Sequence, residues 1–599
     1  MSTHKRIDLI CVIVMICSIL ITVIFMNGKT LGIVPIVDQD AESYTGSEYF
    51  TKNDENAVWD TSGATVIGLN GTDSTVSGKG AYAYDGNVYI KNGGYYVISG
   101  TLEDGSIIVD AYSSSKVWIL LDGVTINCSD DAGLRIEQAD KVFVTLAEGS
   151  ENCIASGAQY SEEALADGTG GAVFAHDDLT INGSGTLTVK AEYKHGIDAN
   201  DDLVITGGTI TIEAVKDGIH ANDSVRIKEA ELTISALDDG ITVTAGDGYF
   251  YMESGKLLIN DCYEGIEAVQ IEVAGGDIEI YPTDDGMNAN GGSTQSDFGN
   301  MGGGPMQDMP EGTSVSGNDL RTPPDGAGRG TDSAEETEDT RKERPAMRGM
   351  ENGAGERKEL SEEELQEFLQ SVSENGVPTP PGDGTNANML QMPADYMQNA
   401  GNEKDEDSDS TESADSEEAV DPYIRITGGS VKIVNTSGRD ADGLDSNGSI
   451  YIEDGTVFVS LSGDGPNCAL DYGSENGGIL EINGGTVVAC GGSSMVEEVS
   501  DTSAQCSVLY NFDGASADTE LKVTSADGGE VLSYEIPSTY TSVIISTPKL
   551  IQGGTYTITT GEGSVEVTLD SVVTTAGSSS GFGGMMGGFG GFPGGSGGL

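Results

Sequence analysis

The chain has 599 residues and carries 98 Asp and Glu against 29 Lys and Arg, a formal net charge of −69. That balance excludes a nucleic-acid partner, whose phosphates need a basic footprint, and suits solubility or cation binding. With 86 Gly and only 16 Pro among many Val, Ile and Thr, the composition points to turns and short strands rather than helices.

Residues 1–37 come first. Lys5 and Arg6 precede an uncharged apolar run, Leu9 to Met26, near the lower length limit for crossing a bilayer. No A-x-A-like cleavage site follows the run, and no small residue stands ahead of Cys17 to make a lipobox. Basic residues before the run keep that end in the cytoplasm. The expectation is a cytoplasmic tip and an uncleaved signal-anchor, with the remainder on the extracellular face of the cell membrane. The alternative is a cleaved signal and a secreted protein. Beyond the anchor are Cys128, Cys153, Cys262, Cys468, Cys490 and Cys506, with no CxxC and no Cys/His zinc spacing. Their pairing stays open.

The next element is a repeat. KHGIDAND at 194–201 returns as KDGIHAND at 216–223. Aligned on the glycine, the copies fall at Gly196, Gly218, Gly240, Gly265, Gly286, Gly443 and Gly465. Apolar residues follow in register: Ile197, Ile219, Ile241, Ile266, Met287 and Leu444 in one column, Leu203, Val225 and Ile450 in another, Ile210, Leu232, Leu257 and Val457 in a third. Within a copy they alternate, which marks half-buried strands. A rung of about 22 residues with two or three short strands is the size of one coil of a parallel β-helix. Weaker copies begin at Gly133 and Gly171. The fold expected is all-β: a right-handed parallel β-helix over 38–292 and 421–506.

Residues 293–420 do not repeat. They form an acidic, low-complexity insert unable to bury a core, with one short helix expected at 361–374 behind a capping box, Ser361 and Glu364. The phrase after it, Ile424-Arg-Ile-Thr-Gly-Gly, aligns with Leu203-Val-Ile-Thr-Gly-Gly, so the insert interrupts one coil, which resumes in register. From 507 to 574 the periodicity changes. Val543-Ile-Ile-Ser and Thr555-Tyr-Thr-Ile around Gly553–Gly554 read as hairpin-like strands of a β cap. The Gly/Met/Phe-rich tail, 575–599, reads as disordered.

The residue before the repeat glycine is His195, Asp217, Asp239, Glu264, Asp285, Asp442 and Asp464, with Asp238 and Asp284 doubling the acid in two copies. Shortly after the glycine come Asp198, Asn222, Asn288 and Asp445, with Asn200, Asn290 and Asn447 close by. Stacked coils turn these into ladders. Unit charges ~4.8 Å apart repel by roughly 3 kcal/mol at an effective dielectric of 20, so a column of carboxylates calls for a cation. Calcium fits, because it takes six to eight hard oxygens in flexible geometry. The metal candidates are therefore Asp217, Asp238, Asp239, Glu264, Asp284, Asp285, Asp442, Asp445 and Asp464. Any one Asp-Gly alone is an ordinary turn, with Gly at positive φ, and the asparagines read as turn structure. Lys194 and Lys216 stack beside the acids as charge balance or as glycan contacts, Lys216 or Lys194 being the base in a lyase alternative. Tyr249 and Tyr251 are candidate sugar contacts, on the opposite side of their strand from Phe250.

The phrases KHGIDANDDLVITGG, KDGIHANDSVRI and DADGLDSNGSIYIEDG, with the closing TYTSVIISTPKLIQGGTYTIT, resemble a family of exported bacterial carbohydrate-binding β-helix proteins, formerly a domain of unknown function. The resemblance implies a right-handed parallel β-helix with bound calcium, similar in shape to polysaccharide lyases of family nine. It implies binding of polygalacturonate and cellulose without lyase activity. The expectation is a non-catalytic surface protein that binds polysaccharide through calcium. A calcium-dependent pectate-lyase-like enzyme and a calcium-stiffened adhesin or stalk are the alternatives.

Overall fold

In the computed structural model the described residues are 49–58, 60–290, 420–436, 441–463, 465–561 and 563–577. The expected signal-anchor, nearly all of the insert with its helix, the last residues of the tail and Asp464 lie outside them. Among the described residues no helix is long and apolar enough to cross a membrane.

The molecule is all-β. Each copy of the repeat makes three strands, for example His195–Ala199, Asp202–Ile205 and Thr209–Ala214. The next copy supplies Ile219–Ala221, Ser224–Ile227 and Ala230–Ala236. Each strand pairs in parallel with its counterpart one rung later. Three ladders result. The first is a 12-stranded sheet, and the other two lie within a 25-stranded sheet. Across the insert the stacking continues: Ile271 pairs with Ile424 and Met287 with Leu444, so residues 293–420 leave one rung and the same rung is completed afterwards, as the phrase alignment requires.

The inward positions stack as columns. Ile197, Ile219, Ile241, Ile266, Met287, Leu444 and Leu470 are all fully buried, as are Leu203, Val225, Phe250, Ile271, Ile424, Ile450 and Leu480. Each such side chain contributes roughly 1.5–3 kcal/mol relative to exposure, but only because a neighbouring rung covers it.

The repeat glycine plays a different part from the one expected. Positive φ is found at the paired glycines between the second and third strands, such as Gly208 (φ +89), Gly276 (φ +89) and Gly429 (φ +75), and not at Gly196, Gly218 or Gly240. There the constraint is space. A Cβ on Gly218 would lie 2.2 Å from Cγ2 of Ile234 and 2.8 Å from the carbonyl oxygen of Gly240. The column is glycine because one backbone presses on the next, not because the chain bends there.

Two register expectations are corrected. Gly443 and Leu444 stack on Ala469 and Leu470 rather than on Gly465. The column position assigned to Asp464 is therefore held by Cys468, and the longer turn 462–469 accounts for the slip. Asn222 stands with Asn200, two places beyond the column of Asp198.

At the far end Tyr540–Ser546 pairs antiparallel with both Thr486–Gly491 and Ser507–Ala515, covering the exposed edge of the last rung. Thr555–Thr560 belongs instead to a separate four-stranded antiparallel sheet. The two segments flanking Gly553–Gly554 are thus not partners of each other: Thr555–Thr560 forms a hairpin with the following strand Gly563–Thr568 and pairs on its other side with Thr519–Ser525. Along the side of the stack residues 49–55 form a strap that touches successive rungs from Lys141 to Glu272. Asp54 is fully buried, its carboxylate 3.1 Å from Nζ of Lys141 and accepting from Oγ1 of Thr180 at 2.6 Å. Burial works against that charge, but Lys141 and Thr180 outweigh it and hold the carboxyl below its usual range.

Candidate functional site

The turn that leads into the first ladder carries two outward columns. One, just before the glycine, runs His195, Asp217, Asp239, Glu264, Asp285, Asp442 and Cys468. The other, two places after it, runs Asp198, His220, Thr242, Glu267, Asn288, Asp445 and Asp471. The columns stand side by side along the stack, their members buried or half-buried.

Part of the acid column is structural. The backbone N–H of Glu264 donates to Oδ1 of Asp239 (2.9 Å), that of Asp442 to Oδ1 of Asp285 (2.6 Å) and that of Cys468 to Oδ1 of Asp442 (2.5 Å). Each aspartate caps the turn above with one oxygen. Amides satisfy others: Asn288 Nδ2 donates to Oε2 of Glu264 at 3.1 Å, and Asn290 to Glu267. Asn447 Nδ2 donates to the carbonyl of Asn290 at 2.9 Å, the turn role read for the asparagines.

These bonds do not balance the charge. Burial, then the fields of Asp217, Asp238 and Glu267, push Asp239 well above the carboxylate range. Glu264 is raised well above its range by burial and by Asp239, Glu267, Asp285 and Asp284. Asp238 is pushed up to about 6 by burial and Asp217. Further along, Asp285 rises well above its range through burial, Asp284 and Asp445. Asp442 goes to about 9 through burial and Asp285, and Asp445 to about 7 through burial and Asp471. The candidate acids thus fall into two groups: Asp217, Asp238, Asp239 and Glu264 with Glu267, and Asp284, Asp285, Asp442 and Asp445 with Asp471. In the first, one oxygen from each of Asp217, Asp238 and Asp239 lies within 4.8 Å of the other two. The donors are hard oxygens, several to a group, which fits a calcium ion and gives no preference for a thiophilic one.

Sequence reasoning passed over Glu267, Asp471 and the pair Asp198 and His220 as site residues. The signal was the second column, visible once Asp198 and Asp445 are aligned by their distance from the glycine. The Lys194 and Lys216 backbones do stack, Lys216 N–H donating to the Lys194 carbonyl at 3.0 Å. Against burial, His195 chiefly and then Lys216 hold Asp217 down to about 2, and the Lys216 charge offsets part of the rise of Asp238, a balancing role.

Tyr249 and Tyr251 lie on the other sheet. Phe250 points inward and is fully buried, as alternation requires. Tyr251 is only 6% exposed, because the ring of Tyr49 from the N-terminal strap stacks on it at 3.7 Å with 15° between planes. Tyr49, Tyr249, Tyr251, Gln270, Glu272 and Tyr423 line a shallow groove of about 330 Å³. The half-buried tyrosines at its rim are Tyr49 and Tyr249, whereas Tyr251 is buried. Among the described residues the six cysteines are unpaired thiols.

Residues 84–321 match the family described as carbohydrate-binding domain-containing protein. A curated protein of that description from Acetivibrio thermocellus is 40% identical over 128 residues, 21% of this chain and 45% of its own length. The chain therefore spans less than half the length of that relative. A solved structure, described as the polysaccharide lyase-like protein from C. thermocellum in a gadolinium derivative, is 29% identical. It covers 37% of this chain and 93% of its own, with a TM-score of 0.36.

Proposed function

We propose that this chain is a non-catalytic, exported polysaccharide-binding protein, a right-handed parallel β-helix in which calcium occupies the acid columns and bridges to the carboxylates of a glycan such as polygalacturonate. The observation that carries the reading is the run of carboxylates from Asp239 to Asp471, raised by burial and by one another. Such a run is stable in its charged form only with cations between its members. Calcium would be held by Asp217, Asp238 and Asp239 with Glu264 in one group, and by Asp284, Asp285, Asp442 and Asp445 in the other. It supplies positive charge and open coordination positions where an anionic glycan meets a protein of formal charge −69. The carbohydrate-binding match over 84–321 supports the ligand class. The N-terminal apolar run remains the reading for attachment at the cell surface.

The test is retention on immobilised polygalacturonate in calcium and in chelator. Retention in calcium that chelator abolishes, and that Asp239→Asn with Asp285→Asn weakens, is the expected outcome. Retention indifferent to chelator refutes the bridge, and no retention on any glycan leaves a stalk.

A further inference from the structure

The repeat phrase conceals an exchange. KHGID in one rung becomes KDGIH in the next, so histidine and aspartate trade places between the two outward columns. Stacking converts the exchange into a square. His195 stands against Asp217, its Nδ1 3.0 Å from Oδ2. Asp198 stands against His220, Oδ1 to Nδ1 2.8 Å. The two imidazoles stack diagonally, with centroids 4.5 Å apart. Two of the four histidines in the whole chain meet here.

We propose that His195, Asp198 and His220, with Oδ2 of Asp217 alongside, form a second metal centre that takes a borderline divalent ion such as zinc, distinct from the hard-cation groups further along the columns. One donor atom from each of His195, Asp198 and His220 lies within 4.8 Å of the other two. An ion bound at about 2.0–2.2 Å holds its donors up to about 4 Å apart, so a small rotamer shift closes the set. His195 is 4% exposed. Its Nδ1 is buried, and despite its nearness to Asp217 it lies off the line of a hydrogen bond and makes none. A buried imidazole set against carboxylates is the usual setting of a metal-ligating histidine, whose ring the carboxylate orients. The backbone covers the site closely. A Cβ on Gly170 would fall 2.2 Å from Oδ2 of Asp198 and 3.4 Å from Cδ2 of His195, so only glycine there leaves the cluster its room. The other oxygen of Asp217 faces the N–H of Asp239 at 3.4 Å, which lets this carboxylate border both centres. Imidazole pairs with carboxylate select zinc, cobalt, nickel or copper over calcium, which prefers an all-oxygen shell.

The experiment is titration of the chelator-stripped chain with Co²⁺, then Zn²⁺, in a large excess of calcium, following cobalt absorption and bound metal. One equivalent that calcium does not displace is expected, lost in His195→Gln/His220→Gln and kept in Asp285→Asn. Calcium retention and the melting curve of the double variant show whether it is folded. X-ray absorption on the zinc-loaded parent reads the ligands independently of any variant. Two imidazoles are expected, and an all-oxygen shell overturns the proposal. No metal bound in calcium, or full binding in the double variant, also overturns it and leaves two His–Asp pairs as the whole role of the square.

Discussion

Asp445 gives the sharpest prediction about the acid columns. Burial, then Asp471, Glu475, Asp284 and Glu497, raise it from 3.8 to about 7. In the metal-free chain the unfolded carboxyl ionises near pH 4, whereas the folded one stays protonated until about pH 7. The folded state therefore loses stability as pH rises across that window and is level above it. About three pH units correspond to about 4 kcal/mol, which solvent relaxation at a half-buried site reduces to about 2 kcal/mol. Asp445→Asn removes the titration. Without metal the variant should unfold at higher denaturant than the parent at pH 8 and at the same concentration near pH 4. With calcium at pH 8 the order reverses, because the parent keeps a ligand the variant lacks. Denaturant midpoints at the two pH values, in chelator and in calcium, decide the matter. A metal-free parent equally stable at both pH values, or a variant no more stable than the parent at pH 8 in chelator, refutes the reasoning.

Three further outcomes follow. Gly240→Ala places a Cβ 2.6 Å from the carbonyl oxygen of Gly265 and 2.7 Å from side-chain carbons of Ile259, an overpacking that costs about 1–3 kcal/mol by denaturant titration; Gly149→Ala, with open space at its Cβ, meets no such clash, only the strain of its positive φ. Asp54→Ala strips the buried Lys141 ammonium of its nearer carboxylate, leaving Asp178 at 3.7 Å, and costs about 1.5–3 kcal/mol, with faster proteolysis ahead of residue 55 as a second readout. Incubation with polygalacturonate and calcium yields no unsaturated product by ultraviolet absorbance. Product that disappears in Lys216→Ala would make the chain a lyase.

The solenoid itself was legible because period-two apolar residues recur at one spacing, and Ile197, Ile219 and Ile241 can stack only if the rungs do. The resumption at Ile424 was legible for the same reason. The role of Gly218 was not: a turn glycine and a crowding glycine leave the same letter, and only Ile234 pressing from its own rung tells them apart. Asp464 was misplaced because spacing alone cannot see that the turn before Ala469 is longer. Asp471 was missed with it. The His195–Asp198–His220 square was hidden because its members alternate between columns. Thr555–Thr560 does form a hairpin, with Gly563–Thr568 after it rather than with the segment before Gly553, and its second partner, Thr519–Ser525, is a non-local strand that no local pattern announces.

The most direct test of the account is calorimetric titration of the metal-free chain with calcium at pH 7 in two buffers of different ionisation enthalpy. Carboxyls such as Asp442, raised to about 9, are protonated in the metal-free fold and must release protons when they take a cation. Saturable binding whose heat differs between the buffers by net proton release is the predicted result, diminished in Asp285→Asn. No saturable binding, or binding with no proton release, contradicts the claim that these columns are cation sites.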